Sequence, residues 1–411
     1  MSFNHPRGEH PPLETTVPPS HEPVEPAPRD FGLDKTKHGI PAAPAVTIDA
    51  MEEFVQSPTE AYPAETSEDQ TKIPLGETFT DAYGNQYRVD EKLGEGGMGG
   101  VYKVEDLRLG LPRAVKFMHA EARNVPSMMA RFQREIEVLG QMENPFIVAA
   151  NKVIRVTVDE QETVGLVMDY VEGTSLDRLV KDRLEPDRVA VLSAQMCFAL
   201  ESLRKAGIVH RDFKPANILI HEMPDGEQFV RIGDFGIAGF AFEKDQPLAT
   251  DETTPALPGR TVLTQSGSFL GTPAYASPES VKSMPVDHRS DLYSLGLVMY
   301  KMTTGAEPFQ EVTDPKANKK DQVHAQLKAH MESKPKSFGE RGVKEVPAWL
   351  EAIVFKLLDK DPDQRFQSAA EVFVALKQGV KESHPEMLSE IPFIWDVKPP
   401  EHYATPTEIA A

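Results

Sequence analysis

A cluster of glycines near residue 95 is of a kind that can hold phosphate groups. The segment Gly94-Glu95-Gly96-Gly97-Met98-Gly99-Gly100-Val101 contains the spacing G-x-G-x-x-G followed, after one residue, by valine. Because glycine has no side chain, backbone amides can approach phosphate oxygens closely there. The same spacing occurs in dinucleotide-binding proteins, but a helix follows it in those proteins. The residues after Gly100 favour a strand instead, which argues against a dinucleotide site.

A lysine and a glutamate follow at positions that suit the same chemistry. Lys116, in the run Ala114-Val115-Lys116, lies seventeen residues after Gly99, and Glu135 comes later in a predicted helix. A buried ammonium group needs a carboxylate partner, and a lysine held in this way can present its charge to nucleotide phosphates. Either residue alone could lie on the surface. Together with the glycines they predict a nucleotide site.

The residues from 210 to 217 carry the most specific pattern in the chain. This stretch reads His210-Arg211-Asp212-Phe213-Lys214-Pro215-Ala216-Asn217, and Asp234-Phe235-Gly236 begins twenty-two residues after Asp212. Ser277-Pro278-Glu279 closes the segment that follows. Carboxylate and amide oxygens, as in Asn217 and Asp234, are ligands that suit Mg²⁺. The order of the motifs is as informative as each motif alone.

In combination these motifs resemble the eukaryotic-type (Hanks-type) serine/threonine protein kinases, including the form common in bacteria. The resemblance covers about residues 80 to 380. It implies an α+β, protein-kinase-like bilobal fold, with a small antiparallel-sheet N-lobe that carries one main helix and a larger helical C-lobe. It also implies transfer of the γ-phosphoryl group of ATP to serine or threonine hydroxyls of protein substrates, with Mg²⁺ as the metal.

The resemblance assigns roles to matching residues. Asp212 would accept the proton of the substrate hydroxyl, Lys214 would balance charge on the moving phosphoryl group, and Lys116 would pair with Glu135. The metal ligands would be Asn217 and Asp234. The nucleotide would contact Gly94, Glu95, Gly96, Gly97, Met98, Gly99, Val101, Ala114, Lys116, the gatekeeper Met168 and the hinge residues Asp169 and Val171.

The segment after Asp234 predicts regulation by phosphate. It is rich in hydroxyl residues, and Thr264 and Ser266 lie at a suitable distance before Thr272. Arg211 could pair with a phosphate on this segment. We therefore expect autophosphorylation at Thr264 and Ser266, through a transient homodimer. Residues 242–260 resemble an insertion in this segment.

Three further matches are structural. The resemblance implies a buried ion pair between Glu279 and Arg365 and an anchoring role for Asp291 beneath the catalytic loop. Two departures from the family pattern, Phe213 and Asn144-Pro145-Phe146, touch no predicted ligand of phosphate or metal.

The elements that must position these residues are visible as periodic patterns. Five runs rich in valine and other strand formers indicate an antiparallel sheet: 87–93, 100–105, 113–118, 153–158 and 164–170. Phe132, Ile136 and Leu139 repeat at helical spacing between the third and fourth runs. After residue 172 helical periods dominate, and the run from Asp291 to Met302 is apolar nearly all round, which predicts a buried helix.

Length, charge and composition limit the partners, the domain organisation and the compartment that we expect for this protein. The chain has 411 residues and a formal charge of −20, which argues against nucleic acid as a partner. Residues 1–75 hold 13 of the 35 prolines and 13 acidic against 5 basic residues, and we expect this tail to be disordered. A kinase domain would occupy 80–380, with lobes at about 80–170 and 171–380, and a second tail 381–411. One cysteine and no long apolar run predict a cytoplasmic protein without membrane contact.

Two other functions remain open at this point. A pseudokinase would keep the fold and bind nucleotide as a scaffold without transfer, although it usually lacks one of the key residues that are present here. A kinase of small molecules would share the fold, but such enzymes generally lack the segment that contains Gly271-Thr272-Pro273-Ala274-Tyr275 and Ser277-Pro278-Glu279.

Overall fold

The structure, a computed structural model, describes residues 74–390 except 97–98, 118–135, 137–139, 141, 143, 159–160, 223–225, 227, 234–271, 283 and 313–315. Within these residues the strands are β1 Thr78–Thr80, β2 Gln86–Gly96, β3 Gly99–Asp106, β4 Leu111–Phe117, β5 Ala150–Val158, β6 Gln161–Asp169, β7 Thr174–Ser175, β8 Ile218–Glu222 and β9 Gln228–Ile232. The helices are α1 Leu176–Leu179, α2 Pro186–Lys205, α3 Pro278–Val281, α4 His288–Thr304, α5 Lys319–Glu332, α6 Ala348–Leu357, α7 Ala369–Ser383 and α8 Met387–Glu390.

The small lobe is built on a six-stranded antiparallel sheet in the order β1-β2-β3-β4-β6-β5. The five strands predicted from the sequence are all present. Alternation along the strands sends every second side chain to one face. On that face Tyr102, Val115 and Val167 stand opposite one another across three strands, and they belong to the apolar core of this lobe.

A short hairpin that the sequence analysis missed closes this sheet on itself. β1 pairs with β2 on one side, while Asp81 bridges to Val156 of β5, and the Ala82 amide donates to the Arg155 carbonyl over 3.1 Å. The two edges of the sheet therefore meet, as in a barrel. Asp81 is 4% exposed and accepts hydrogen bonds from five groups nearby, which supports the turn.

The large lobe is organised around helices α2 and α4, and α4 is the helix that the sequence predicts to be buried. α4 buries nearly every side chain between Ser290 and Thr303, and its ends are defined by local signals. Asp287 caps its N-terminus by accepting from the Arg289 amide, and Gly305 ends it in the left-handed conformation with φ 72°. α2 packs against α4 and α7, so these helices share one hydrophobic core.

A short connection ties the sheet of the small lobe to helix α2 and strand β9 of the large lobe. The Asn144 side chain donates to Ser202 of α2 over 2.7 Å, and the Ile232 amide at the end of β9 donates to the Phe146 carbonyl over 2.8 Å. In the same stretch the Val148 amide donates to the Ile232 carbonyl over 2.9 Å. The departure at Asn144 therefore has a structural role, because its amide anchors this connection.

Several sequence predictions fall outside the described residues. They concern residues 1–73 and 391–411 of the two predicted tails, the insertion at 242–260, and most of the predicted helix around Glu135. Of that helix the structure describes Ile136 and Gly140 as helical, and Ile136 is buried in the large core. None of the helices in the described part of the chain is long and apolar enough to cross a lipid bilayer.

Candidate active site

The carboxylate of Asp212 is held by the two residues that the sequence pattern places after it. Lys214 Nζ lies 2.6 Å from Asp212 Oδ2, and Asn217 Nδ2 donates to the same oxygen over 3.0 Å. Asn217 Nδ2 also donates to the Asp212 carbonyl over 2.8 Å. Asp212 and Lys214 are partly exposed, with 26% and 20% of their side-chain surfaces accessible. The carboxylate is therefore oriented yet open to solvent.

The backbone before Asp212 is held in a strained conformation by a buried carboxylate. Arg211 has a φ of 61°, which is unusual for a residue other than glycine. Asp291, at the start of α4, accepts the amide protons of His210 over 2.7 Å and of Arg211 over 2.9 Å. Burial raises the pKa of Asp291 to about 7, against the opposing effect of these two hydrogen bonds. The predicted anchoring role of Asp291 is thus confirmed.

The backbone of Gly233, the residue before Asp234, is hydrogen-bonded to the backbone of Asn217. The Gly233 amide donates to the Asn217 carbonyl over 3.0 Å, and His210 Nε2 lies 3.3 Å from the Gly233 carbonyl. Ile218 also pairs with Ile232, so the first residue of β8 lies beside the last residue of β9. Asp234, the second predicted metal ligand, lies outside the described residues, and its position stays a prediction.

The orientation of Asn217 fits a role as a ligand of Mg²⁺. Its amide nitrogen donates to the carbonyl and to the carboxylate of Asp212, and its amide oxygen is the atom of the type that binds a cation. The side chain is 6% exposed, which keeps this orientation fixed. An amide oxygen is a hard ligand of the type that Mg²⁺ prefers.

The predicted nucleotide residues of the small lobe share one face of the sheet. Lys116 pairs in register with Val101 on β3 and Leu166 on β6, and Ala114 pairs with Met168. Cross-strand partners point to the same face, and residues 114 and 116 lie two apart on β4. Lys116 is only 8% exposed. This face is opposite to the one that carries the apolar core of the lobe.

The glycine pattern lies at the end of the β2–β3 hairpin. Gly94 pairs with Val101, Glu95 with Gly100, and Gly96 with Gly99. A strand follows the glycines, as the sequence analysis expected, so the dinucleotide alternative lacks its helix. Gly97 and Met98 lie outside what the structure describes, and so does the side chain of Glu95.

The predicted hinge is fixed through the side chain of its first residue. Asp169 ends β6, and its Oδ1 accepts from Arg113 Nη1 over 2.6 Å and from Asn151 Nδ2 over 3.0 Å. Its amide donates to the Ala149 carbonyl over 3.1 Å. Val171 follows two residues later and is half-buried. Three hydrogen bonds, two to its side chain and one from its amide, therefore fix Asp169, the first residue of the predicted hinge.

The 272–281 segment reaches from the Asp212 carboxylate to the core of the large lobe. Thr272 Oγ1 accepts from Lys214 Nζ over 2.8 Å and donates to Asp212 Oδ1 over 3.4 Å. At the other end Glu279 forms the predicted buried ion pair with Arg365, at 2.8 Å. The contact of Thr272 was missed by the sequence analysis, although the motif that contains Thr272 was recognised. Glu135, Thr264 and Ser266 lie outside the described residues.

Comparison with known sequences agrees with this geometry. The family model described as protein kinase domain matches residues 87–375. A probable serine/threonine-protein kinase of Streptomyces coelicolor is 36% identical over 296 residues, which cover 72% of this chain and 40% of that protein. Serine/threonine-protein kinase PknB of Mycolicibacterium smegmatis is 34% identical over 311 residues, or 74% of this chain and 45% of that protein. The chain thus spans less than half the length of these relatives.

Comparison with solved structures supports the fold alone. The kinase domain of PknI from Mycobacterium tuberculosis aligns with a TM-score of 0.51 at 24% identity. The alignment covers 75% of this chain and all of that domain, at 100%. The shared architecture is the antiparallel sheet above a helical lobe described here.

Proposed function

The chain belongs to the protein kinase domain family, and on that premise we propose that it transfers the γ-phosphoryl group of ATP to serine or threonine hydroxyls of protein substrates. The observation that carries this proposal is the joint fixation of Asp212 by Lys214 and Asn217, within 3.0 Å of its carboxylate. Phosphoryl transfer asks for positioning and charge stabilisation more than for covalent chemistry, and this arrangement supplies both.

Asp212 would accept the proton of the attacking hydroxyl. Its carboxylate is oriented by two donors but is still partly exposed, so a substrate hydroxyl can reach it. Lys214, which shares Oδ2 with Asn217, would stabilise the negative charge on the phosphoryl group in transit. Because the lysine already lies beside the base, the hydroxyl of a bound protein substrate and the γ-phosphoryl group of bound ATP would meet next to both residues.

Nucleotide and metal would bind between residues 210–217 and the face of the six-stranded sheet that lies opposite the apolar core of the small lobe. Lys116, Ala114, Val101 and Met168 share that face, and their neighbours in the glycine hairpin would cover the phosphates. Asn217 and Asp234 would hold Mg²⁺, which when bound neutralises charge on the phosphates. Lys116 would pair with Glu135 and contact the phosphates.

Three finer proposals rest on the sequence alone. Thr264 and Ser266 would be autophosphorylated through a transient homodimer, with Arg211 as a partner of the new phosphate. The protein would act in the cytoplasm on protein substrates. The domain limits at 80 and 380, with flanking tails, stay predictions as well.

Transfer of labelled phosphate from ATP to a generic basic protein tests the central proposal. Asp212→Asn keeps the shape of the side chain but removes the base, so we expect transfer to fall by about 100-fold or more. Asp182→Asn, an exposed aspartate on the loop before α2, is the matched control and should keep wild-type transfer. Transfer should also require Mg²⁺.

The result would also separate a kinase from a nucleotide-binding scaffold. A scaffold would bind ATP but give the same background transfer in wild type and Asp212→Asn. Equal rates in the two proteins would therefore overturn the catalytic proposal, and binding of ATP measured on the same samples would leave the scaffold as the remaining function.

A further inference from the structure

Lys360, Tyr293 and His330 form a chain of hydrogen bonds beneath the 272–281 segment, in which Tyr293 and His330 are buried and Lys360 is half-buried. Lys360 Nζ donates to the Tyr293 hydroxyl over 3.1 Å, and the same hydroxyl lies 3.1 Å from His330 Nδ1. Tyr293 is 0% exposed and His330 is 1% exposed. The three residues come from α4, from α5 and from the loop after α6, so the chain joins three elements of the large lobe.

The direction of these hydrogen bonds follows from the chemistry of the groups. A lysine ammonium has donors only, so the Tyr293 oxygen accepts from Lys360. The Tyr293 hydroxyl hydrogen then has its acceptor at His330 Nδ1, which requires a neutral imidazole. Burial, together with the positive charge of Lys360, lowers the pKa of His330 to about 3. The ring is therefore neutral near pH 7, and its proton lies on Nε2.

Aromatic rings enclose this chain and fix its geometry. Lys360 Nζ lies 4.6 Å from the centre of the Phe309 ring and 5.4 Å from that of Tyr293. Phe309 also packs edge-on against the His330 ring at 4.9 Å. An ammonium group between two aromatic faces is stabilised by their negative charge density. The side chains can thus move little without losing several contacts at once.

The hydrogen-bond chain of Lys360, Tyr293 and His330 lies against the middle of the 272–281 segment. The His330 imidazole faces the backbone of Ala274, which favours the protonated ring. Its Nε2 is buried, and within the described residues no acceptor lies at hydrogen-bonding distance. Tyr293 also stacks under the guanidinium of Arg365, at 4.9 Å, and Arg365 holds Glu279 at the end of the segment. Tyr293 is therefore linked to the segment by two routes, through its hydroxyl and His330 toward Ala274, and through its ring and Arg365 to Glu279.

We propose that the Lys360–Tyr293–His330 chain positions residues 273–276 for binding of the protein substrate. This inference rests on the proposed kinase function, because the segment starts at Thr272, which contacts Asp212 and Lys214. A support that is already in place spares the substrate the entropy cost of ordering the segment. Loss of the chain weakens binding of the protein substrate and leaves ATP binding and the chemical step nearly unchanged.

The test compares two tyrosines of the same helix. Tyr293→Phe removes only the hydroxyl of the chain. Tyr300→Phe is the matched control, since Tyr300 is equally buried on α4 but its hydroxyl binds the Lys336 carbonyl at 2.8 Å and Arg341 Nε at 2.9 Å, away from the segment. We expect Tyr293→Phe to raise the KM for a protein substrate by about three- to tenfold. The KM for ATP and kcat should stay within about twofold, and Tyr300→Phe should change none of these values.

Two further variants separate positioning from packing. His330→Asn keeps an acceptor near the position of Nδ1 and should keep the wild-type KM within about twofold. His330→Leu fills similar space without an acceptor and should follow Tyr293→Phe. If Tyr293→Phe does not fold, Lys360→Met takes its place, because it removes the donor to the Tyr293 hydroxyl. Its KM values are then compared with those of Tyr300→Phe.

Hydrogen exchange provides a readout that does not depend on activity. The amides of Tyr275 and Ala276 donate to Thr272 and Pro273 within the segment. Their exchange should speed up in Tyr293→Phe and not in Tyr300→Phe. Equal KM values and equal exchange in the two variants would overturn the inference. If faster exchange appears while the wild type transfers no phosphate, the positioning role stands and the kinase proposal fails.

Discussion

Glu279 and Arg365 are joined by two parallel hydrogen bonds of 2.8 Å, although 86 residues separate them in the chain. Both side chains are almost fully buried, at 5% and 2% exposure. Burial alone would raise the pKa of Glu279, but the hydrogen bonds and charge of Arg365 lower it below the usual value. The pair attaches the 272–281 segment to the loop after α6.

Loss of the carboxylate charge at this pair should destabilise the fold strongly. Glu279→Gln leaves a buried guanidinium without its counter-charge, and we expect the free energy of unfolding to fall by about 3–5 kcal/mol. Urea denaturation followed by circular dichroism measures this change. Any loss of phosphate transfer should then follow the loss of folded protein.

An exposed ion pair of the same lobe is the control for Glu279. Arg289 and Asp363 lie 2.6 Å apart, but 77% of the Asp363 side chain is accessible to solvent. Asp363→Asn should therefore cost less than about 1 kcal/mol. Similar losses in the two variants would mean that burial adds nothing to the pair at Glu279.

Removal of the Thr272 hydroxyl should slow transfer without unfolding the protein. Thr272→Ala takes away the oxygen that joins Lys214 and Asp212, so both side chains gain freedom. We expect kcat to fall by about fivefold, which corresponds to one hydrogen bond of about 1 kcal/mol. Thr272→Ser keeps the hydroxyl and should restore most of the rate. A serine variant as slow as the alanine variant would exclude this role.

The hairpin that closes the small lobe depends on one aspartate. Asp81→Ala leaves several donors unpaired, among them the Asn85 amide, the Tyr87 hydroxyl and Lys152. We expect a loss of about 2–3 kcal/mol in the free energy of unfolding. Asp90→Ala, which breaks an ion pair with the exposed Arg88, should have a much smaller effect. A larger loss at Asp90 would contradict the closed sheet as a source of stability.

His330 should make stability depend on pH in acid. In the unfolded chain its imidazole titrates near pH 6.5, whereas burial lowers the pKa to about 3 in the folded protein. The unfolded chain therefore binds more protons between these values. The stabilisation is complete above pH 6.5 and is lost as the pH falls toward 3, by up to about 5 kcal/mol.

The test must separate His330 from Asp291, which acts in the opposite direction. Burial raises the pKa of Asp291 to about 7, so its contribution falls as the pH rises from about 4 to 7. Comparing wild type with His330→Asn cancels the contribution of Asp291. As the pH falls from 6.5 to 4, the free energy of unfolding of the wild type should decrease relative to that of His330→Asn. A constant difference would show that His330 does not titrate in this range.

Much of the candidate site could be predicted from the sequence because its parts are contiguous. Asp212, Lys214 and Asn217 lie within six residues of one another, and the family resemblance assigns all three to one site. The five strands of the small lobe were equally visible, since strand formers recur with turn residues between them. The ion pair of Glu279 with Arg365 and the role of Asp291 came from the family resemblance and were confirmed.

The tertiary structure decided which distant polar groups meet. Asp81 closes the sheet against β5, Thr272 reaches Asp212, and Tyr293 connects Lys360 with His330. A single polar residue within an apolar helix leaves the hydrophobic period unchanged, so no local pattern announces its partner. Such contacts depend on the path of the chain over tens of residues, and only packing of the helices brings their atoms within hydrogen-bonding distance.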